Sequence, residues 1–285
     1  MTWTRASVVL PAMRSACLFV CVFIVALLPV TQQAHAQEVN VHVIGEAFAL
    51  DSVELLYTET HCVSDKALTH DVLYRDMEQE LIAHKVLNYA SGLVTPSFVQ
   101  HNFYSQEVIT VELRQDQLIM AVKTANNPEP QEFLFPISQA SMPIVIDAGF
   151  DNFVTQNWDA IVGGQSKQFQ FPFAARESLV DLRISAARCS YDNETDQCFI
   201  LRLDNWLIGR FVASIELGYD ASLRRLTRFR GLSNIGDAKG TGQSVDIRYR
   251  YDNSSTLACS LGDLKLTGSA ANNDIGITHA EEGSS

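Results

Sequence analysis

Between Asp147 and Gly164 the sequence holds its one clear helical pattern, in a chain that otherwise reads as short extended runs and turns. On a 3.6-residue wheel Phe150, Phe153, Val154, Trp158, Ile161 and Val162 share one broad face, and Asn152, Thr155, Gln156 and Asp159 the other. Asp147 and Asp151 stand where the positive end of the helix dipole falls, in a capping role, and Gly163-Gly164 supplies a stop. A lone amphipathic helix over 149–162 must bury its aromatic face, and among strands the available partner is a sheet.

The runs around it alternate with period two. Val39 to Val43, Glu54 to His61, Val72 to Arg75, Leu81 to Tyr89 and Ser97 to Phe103 read as strands. Val108 to Arg114 and Leu118 to Lys123 flank Gln115-Asp116-Gln117 as a hairpin. Asn126 to Pro130 reads as a loop before Glu132 to Phe135, and Ile144 to Ile146 leads into the helix. After it, Lys167 to Phe173 (KQFQFPF) places Phe169, Phe171 and Phe173 on one face. Pro172 cannot donate to a ladder, which marks an edge strand. Leu179 to Arg188, Phe199 to Leu203, Ile215 to Tyr219, Arg224 to Arg230 and Ser244 to Tyr251 follow. A helical turn is expected at Asn205 to Arg210 and a short strand at Asp263 to Thr267. Short strands joined by short turns favour antiparallel meanders. The expected fold is mainly β: a curved antiparallel sheet or half-barrel with one central amphipathic helix packed on its concave face.

At the N-terminus Arg5 and Arg14 precede an apolar run, Ala16 to Val30, and Ala34-His35-Ala36 is a small-x-small cleavage site. This predicts a signal peptide over 1–36, cleaved after Ala36, and a periplasmic protein; Met13 is an alternative start. The competing reading, an uncleaved anchor, has an apolar run short for a membrane span. A single domain is expected over 37–267, with a disordered tail over 268–285.

Two of the 21 basic residues leave with the signal, so 19 remain against 33 acidic ones, a net charge of −14. Such a chain does not hold nucleic acid through bulk charge. Cys62, Cys189, Cys198 and Cys259 remain, and in an exported chain four cysteines suggest two disulfides rather than a zinc site without C-x-x-C spacing. Cys189–Cys198 across the mouth of a polar hairpin is the preferred pairing, leaving Cys62–Cys259.

Three pieces resemble the signatures of a family of uncharacterised exported proteobacterial proteins. They are Gly45-Glu46-Ala47 followed by ELLYTETH, then IDAGFDNFVTQNWD, then GLSNIGDAKG from Gly231 to Gly240. The resemblance spans most of the mature chain and implies a Gram-negative periplasm. In architecture alone the expected curved sheet with its helix is also similar to periplasmic lipoprotein carriers of the LolA type.

Two sets of residues are candidates for binding. Arg228 and Arg230 share one strand face and Arg248 and Arg250 another; paired, they would set four guanidinium groups on one side, fit for a phosphate, carboxylate or acidic partner unless Asp246 and Glu216 balance them. Phe150, Phe153, Trp158, Phe169, Phe171 and Phe173 form either a closed core or the walls of an apolar cleft. Asn157, an amide amid that face, is either a clamp on the sheet or part of the pocket. His42, His61, His70, His84 and His101 lack metal-ligand spacing, and no nucleophile elbow, zinc-protease or nucleotide motif occurs. The sequence thus points to a non-catalytic binder of an apolar or amphipathic ligand or an envelope-associated factor, with lipid or an envelope protein as partner. No cofactor or metal and no integral membrane segment beyond the signal is expected. The alternatives are an adaptor using the Arg-rich face and a hydrolase without a recognisable motif.

Overall fold

The computed structural model describes residues 40–63, 68–173, 177–204, 213–237 and 239–251. The expectations placed on 1–36, 205–210, Cys259, 263–267 and 268–285 lie outside them. Eight strands run in sequence before the helical segment: β1 (Asn40–Ala49), β2 (Leu55–Val63), β3 (Thr69–Arg75), β4 (Leu81–Asn88), β5 (Ser97–Asn102), β6 (Glu107–Arg114), β7 (Gln117–Thr124) and β8 (Asn127–Pro136). Six follow it: β9 (Lys167–Phe173), β10 (Ser178–Ala187), β11 (Asp196–Leu203), β12 (Ile215–Asp220), β13 (Arg225–Gly236) and β14 (Gly242–Tyr251).

They form one antiparallel sheet of 14 strands in the order β8-β7-β6-β5-β4-β3-β2-β1-β14-β13-β12-β11-β10-β9. Every neighbouring pair but β1–β14 is consecutive in the chain; that one pairing joins the two meanders. β8 and β9 end the sheet and do not pair with each other, so it is curved but not closed. Proline sits in both terminal strands, Pro128 and Pro136 in β8 and Pro172 in β9, where a missing ladder donor costs least. β8 begins at Asn127, where a loop through Pro130 was expected: the amide of Asn127 bonds the Thr124 hydroxyl across a tight turn, and an edge strand tolerates the prolines.

The connection from β8 to β9 crosses the gap and carries the helix. Gln170 of β9 donates to the Pro143 carbonyl at 2.8 Å and accepts from the Val145 amide at 2.9 Å, so 143–145 runs parallel along that edge. Alternation then divides its side chains: Ile144 and Ile146 enter one apolar cluster with Leu87, Phe98, Val111 and Met120, and Val145 the other with Phe153, Trp158, Phe169 and Phe199.

The expected helix is two helices, α1 (Gly149–Gln156) and α2 (Trp158–Val162). Asn157 divides them at φ −104° and ψ 9°: its side-chain amide donates to the Phe153 carbonyl at 2.8 Å, and its backbone amide is shared between Phe153 and Val154. Such back-bonding competes with the regular ladder and bends a helix. The bend turns Val162 outward to 43% exposure, although a straight wheel puts it on the buried face. The start of α1 lies so close to the loop after β4 that a Cβ on Gly149 would meet the Val94 carbonyl oxygen at 2.1 Å, which leaves glycine as the residue that fits.

Candidate functional site

Beneath the helices the aromatic side chains pack as a closed core. The Phe169 ring lies 4.9 Å from Phe153 and 5.6 Å from Phe150, and Trp158, Phe199 and Tyr219 form a mutual edge-to-face trio at 5.2 to 5.8 Å. Phe153, Trp158 and Phe169 are buried, Phe150 and Phe171 half-buried, and Phe173 is 38% exposed at the strand end. Asn157 bonds its own helix rather than the sheet, so the amide shapes the bend between α1 and α2. Phe150, Phe171 and Phe173 are the aromatic members of this set that keep an open side.

The four arginines do come together on the outer face, with Arg228 directly opposite Arg248. Each meets a carboxylate. Arg228 Nε donates to Asp246 at 2.7 Å, Arg230 approaches Asp246 at 3.4 Å and Glu216 at 3.7 Å, Arg248 reaches Asp246 at 3.5 Å and Arg250 reaches Glu46 at 2.8 Å. Tyr191 covers Arg228 and Phe48 covers Arg248, both as cation–π contacts. Burial raises the Asp246 pKa, but the Arg228 hydrogen bonds and the charges of Arg228, Arg230 and Arg248 outweigh it and hold the carboxyl below its usual range. The face is internally neutralised.

A second set of polar groups lies on the concave side. Alternation points Tyr57, Glu59 and His61 of β2 inward with Val72 and Tyr74 of β3, Ala83 and Lys85 of β4 and Tyr249 of β14. Glu59 is 5% exposed and Lys85 2%. Tyr249 reaches Glu59 at 3.2 Å by crossing β1 over Gly45, which pairs with both residues. A Cβ on Gly45 would meet the Tyr249 ring at 2.9 Å, so the glycine makes that crossing possible. His61 also contacts Glu59 at 3.2 Å, and Tyr57 exchanges a 2.7 Å hydrogen bond with Ser233.

Across this row stands the start of α1. Asp147 does not cap the helix: the capping position is Ala148, without a side-chain bond. Instead Asp147 accepts 2.7 Å from Lys85 Nζ and 2.8 Å from the Ala148 amide. Its backbone is left-handed, φ +43°, a conformation Asp tolerates at a cost of about 1 kcal/mol or more. Asp151 lies in the first turn of α1, as expected of a dipole residue, and its Oδ1 is sealed from solvent. Burial raises its pKa, and a hydrogen bond with the Tyr219 hydroxyl lowers it by less. Tyr219 is fully buried, and burial and the neighbouring Asp151 raise its pKa. Tyr89, just after β4, and Tyr251, at the end of β14, also feel the Asp151 charge, and both are partly buried.

The strand register puts the ends of β2, β4, β12 and β14 at one rim, beside the start of α1. Glu59, Asp147 and Asp151 with Tyr89, Tyr219, Tyr249 and Tyr251 therefore form an acidic, aromatic group of side chains between the sheet and the start of α1. It adjoins the apolar cluster of Ile144 and Ile146, against which Tyr89 and Tyr249 pack. Sequence reasoning missed it. The signal was present as inward-facing charge in apolar strands, Glu59 between Tyr57 and His61 and Lys85 between Ala83 and Leu87. Elsewhere, a polar hollow of about 570 Å³ lies at the hairpin closed by Cys189–Cys198, lined by Arg188, Tyr191, Asp192, Glu194 and Asp196. That disulfide is the expected one, with Cα atoms 5.2 Å apart; Cys62 is disulfide-bonded as well. Among the described residues no His, Cys, Asp and Glu group of three or more fits a metal ion, and no helix is long and apolar enough to cross a membrane.

The strands and helices together define an open, curved antiparallel sheet with a short helical segment between its two meanders. The chain is similar in fold to a β-barrel-like protein of the domain of unknown function DUF1849 from Brucella abortus. The two share 11% identity at a TM-score of 0.45, over 76% of this chain and 100% of that one. Scans against protein-family models and curated proteins gave no match.

Proposed function

We propose that the protein is a non-catalytic binding protein of the periplasm that holds an amphipathic ligand between α1 and the concave face of the sheet. The observation that carries this reading is the acidic, aromatic group itself: the buried Glu59 and the partly buried Asp147, Asp151, Tyr89 and Tyr251 stand against an apolar cluster, a pairing of polar and apolar side chains that suits a ligand with a head and a tail. The attachment of α1 supports it, because its start is held by single hydrogen bonds from Ile146 and Asn152 to the Val94 and Leu93 carbonyls and by the Lys85–Asp147 pair rather than by a continuous ladder. The Cys189–Cys198 disulfide supports an oxidising compartment.

Native mass spectrometry of the protein taken from an envelope extract tests the reading. A non-covalent amphipathic adduct is expected, and it should be lost in the double variant Tyr89→Ala, Tyr251→Ala while the circular dichroism spectrum stays that of the parent. A bare mass under conditions that preserve lipid complexes would overturn it.

A further inference from the structure

Four loops meet at one end of the sheet, and their contacts join them into one surface. In the β1–β2 loop the Leu50 amide donates to the Ser244 carbonyl of β14 at 3.0 Å, and Ser244 pairs with Leu232 of β13. In the β13–β14 loop Gly240 comes so close to the β5–β6 loop that a Cβ on it would lie 3.5 Å from Ser105. The hydroxyl of Tyr104, next to Ser105, donates to Asp76 in the β3–β4 loop, and Asp76 also accepts the Glu78 and Glu80 amides at 3.0 and 2.9 Å. β4 leads from this last loop to Tyr89 near α1, so the surface lies at the other end of the sheet from the proposed ligand site.

These segments expose large apolar side chains. Val53 is 90% exposed, and Leu50, Met77, Tyr104 and Leu232 are exposed along the same surface. Apolar residues scattered singly over a surface are ordinary, but five on adjoining segments mark a place where something docks. Charge decides what docks there. Glu54, Glu78 and Glu80 are exposed, and none of them forms a salt bridge with a described residue. Asp51 has its partner in Arg230, and Arg75 is turned to the Gln79 carbonyl at 2.9 Å. An anionic lipid leaflet would meet the three carboxylates as like charges, and so would the same surface of a second copy. A protein segment whose apolar side chains are flanked by Lys or Arg matches both the apolar residues and the carboxylates.

We propose that this end of the sheet is a docking surface for a basic, amphipathic segment of another protein. Val53, Met77 and Leu232 supply the apolar contact, and Glu54, Glu78 and Glu80 pair with the basic residues of the partner. The surface is independent of the ligand-binding reading.

Fluorescence anisotropy of a labelled leucine–lysine amphipathic peptide, titrated with the mature protein, tests this. The double variant Val53→Ser, Met77→Ser should weaken binding at least about tenfold, and so should the triple variant Glu54→Gln, Glu78→Gln, Glu80→Gln. The double variant Leu93→Ser, Leu223→Ser changes exposed apolar residues elsewhere on the protein and should leave binding as it is. All of these side chains are exposed, so each variant should keep the thermal unfolding of the parent. An equal loss in the Leu93, Leu223 variant, full binding by either of the other two variants, or no saturable binding of the peptide overturns the inference. Flotation with phosphatidylglycerol vesicles that Val53→Ser, Met77→Ser abolishes, or a sedimenting dimer that it dissociates, would give the surface to a membrane or to a second copy and overturns it equally.

Discussion

Lys85 on β4 reaches across the concave face to Asp147 at the entrance to α1, with Nζ 2.7 Å from the carboxylate and the Lys85 side chain 3% exposed. The pair fixes the helical segment to the first meander, although they stand 62 residues apart in sequence. Removing one partner leaves the other charge buried, which costs about 3–5 kcal/mol in comparable pairs. Lys85→Met and Asp147→Asn should therefore each destabilise by about 3 kcal/mol in urea unfolding, and the double variant should recover more than half of the combined loss. Additive losses would show that the two groups do not act as a pair.

Asp246 organises the outer face. Its carboxyl titrates below the usual range because the Arg228, Arg230 and Arg248 interactions outweigh the upward push of burial. A carboxylate with a depressed folded pKa contributes stability above its unfolded pKa and loses it as pH falls through the folded value. Stability should thus decline on acidification below the ordinary Asp range, and Asp246→Asn should remove that part of the decline. The same variant should cost about 3 kcal/mol at neutral pH, since Arg228 and Arg230 lose their shared acceptor. Urea midpoints measured across the acid range check both.

Asp151 carries the opposite sign. Burial raises its folded pKa above the unfolded one, so the stability tied to its proton is complete below the unfolded pKa and lost as pH rises through the folded value. At neutral pH the start of α1 is strained by this charge, and Asp151→Asn should stabilise the unliganded protein by about 1 kcal/mol. Thermal unfolding of both proteins from pH 4 to pH 8 would contradict this if the variant is the less stable throughout.

Much of this architecture is legible in the sequence. The alternating runs fix strands, Pro172 marks an edge, and the aromatic face of 149–162 predicts helix on sheet. Alternation also brings the four arginines to one face with Asp246 and Glu216 as candidate counter-charges, but it does not show that Glu46 and Asp51 join them, because those carboxylates arrive from β1 and the loop after it. The acidic, aromatic group is harder still. Asp147 and Asp151 look like ordinary helix-start acids, and Lys85 and Tyr219 that give them another meaning lie on strands from opposite halves of the sheet. The break at Asn157 is a side-chain bond to the backbone, which a wheel does not represent.

Gly45 offers a test of the concave-face geometry that leaves every charge in place. A Cβ there would press on the Tyr249 ring at 2.9 Å and push its hydroxyl away from Glu59. Gly45→Ala should cost about 1–3 kcal/mol, as overpacking does, and Gly45→Ala in a Tyr249→Phe background should cost no less, because the clash is with the ring. A neutral Gly45→Ala would mean that Tyr249 does not cross β1.

The central claim, that an amphipathic ligand enters between α1 and the sheet, is tested most directly by a heteronuclear NMR titration of the mature protein with decylammonium. The amides of Tyr89, Asp151, Tyr219 and Tyr251 should shift together and saturate with one affinity. Shifts that gather instead at Arg228 and Arg248 on the outer face, or at Tyr191 to Asp196 of the disulfide hairpin, would contradict it.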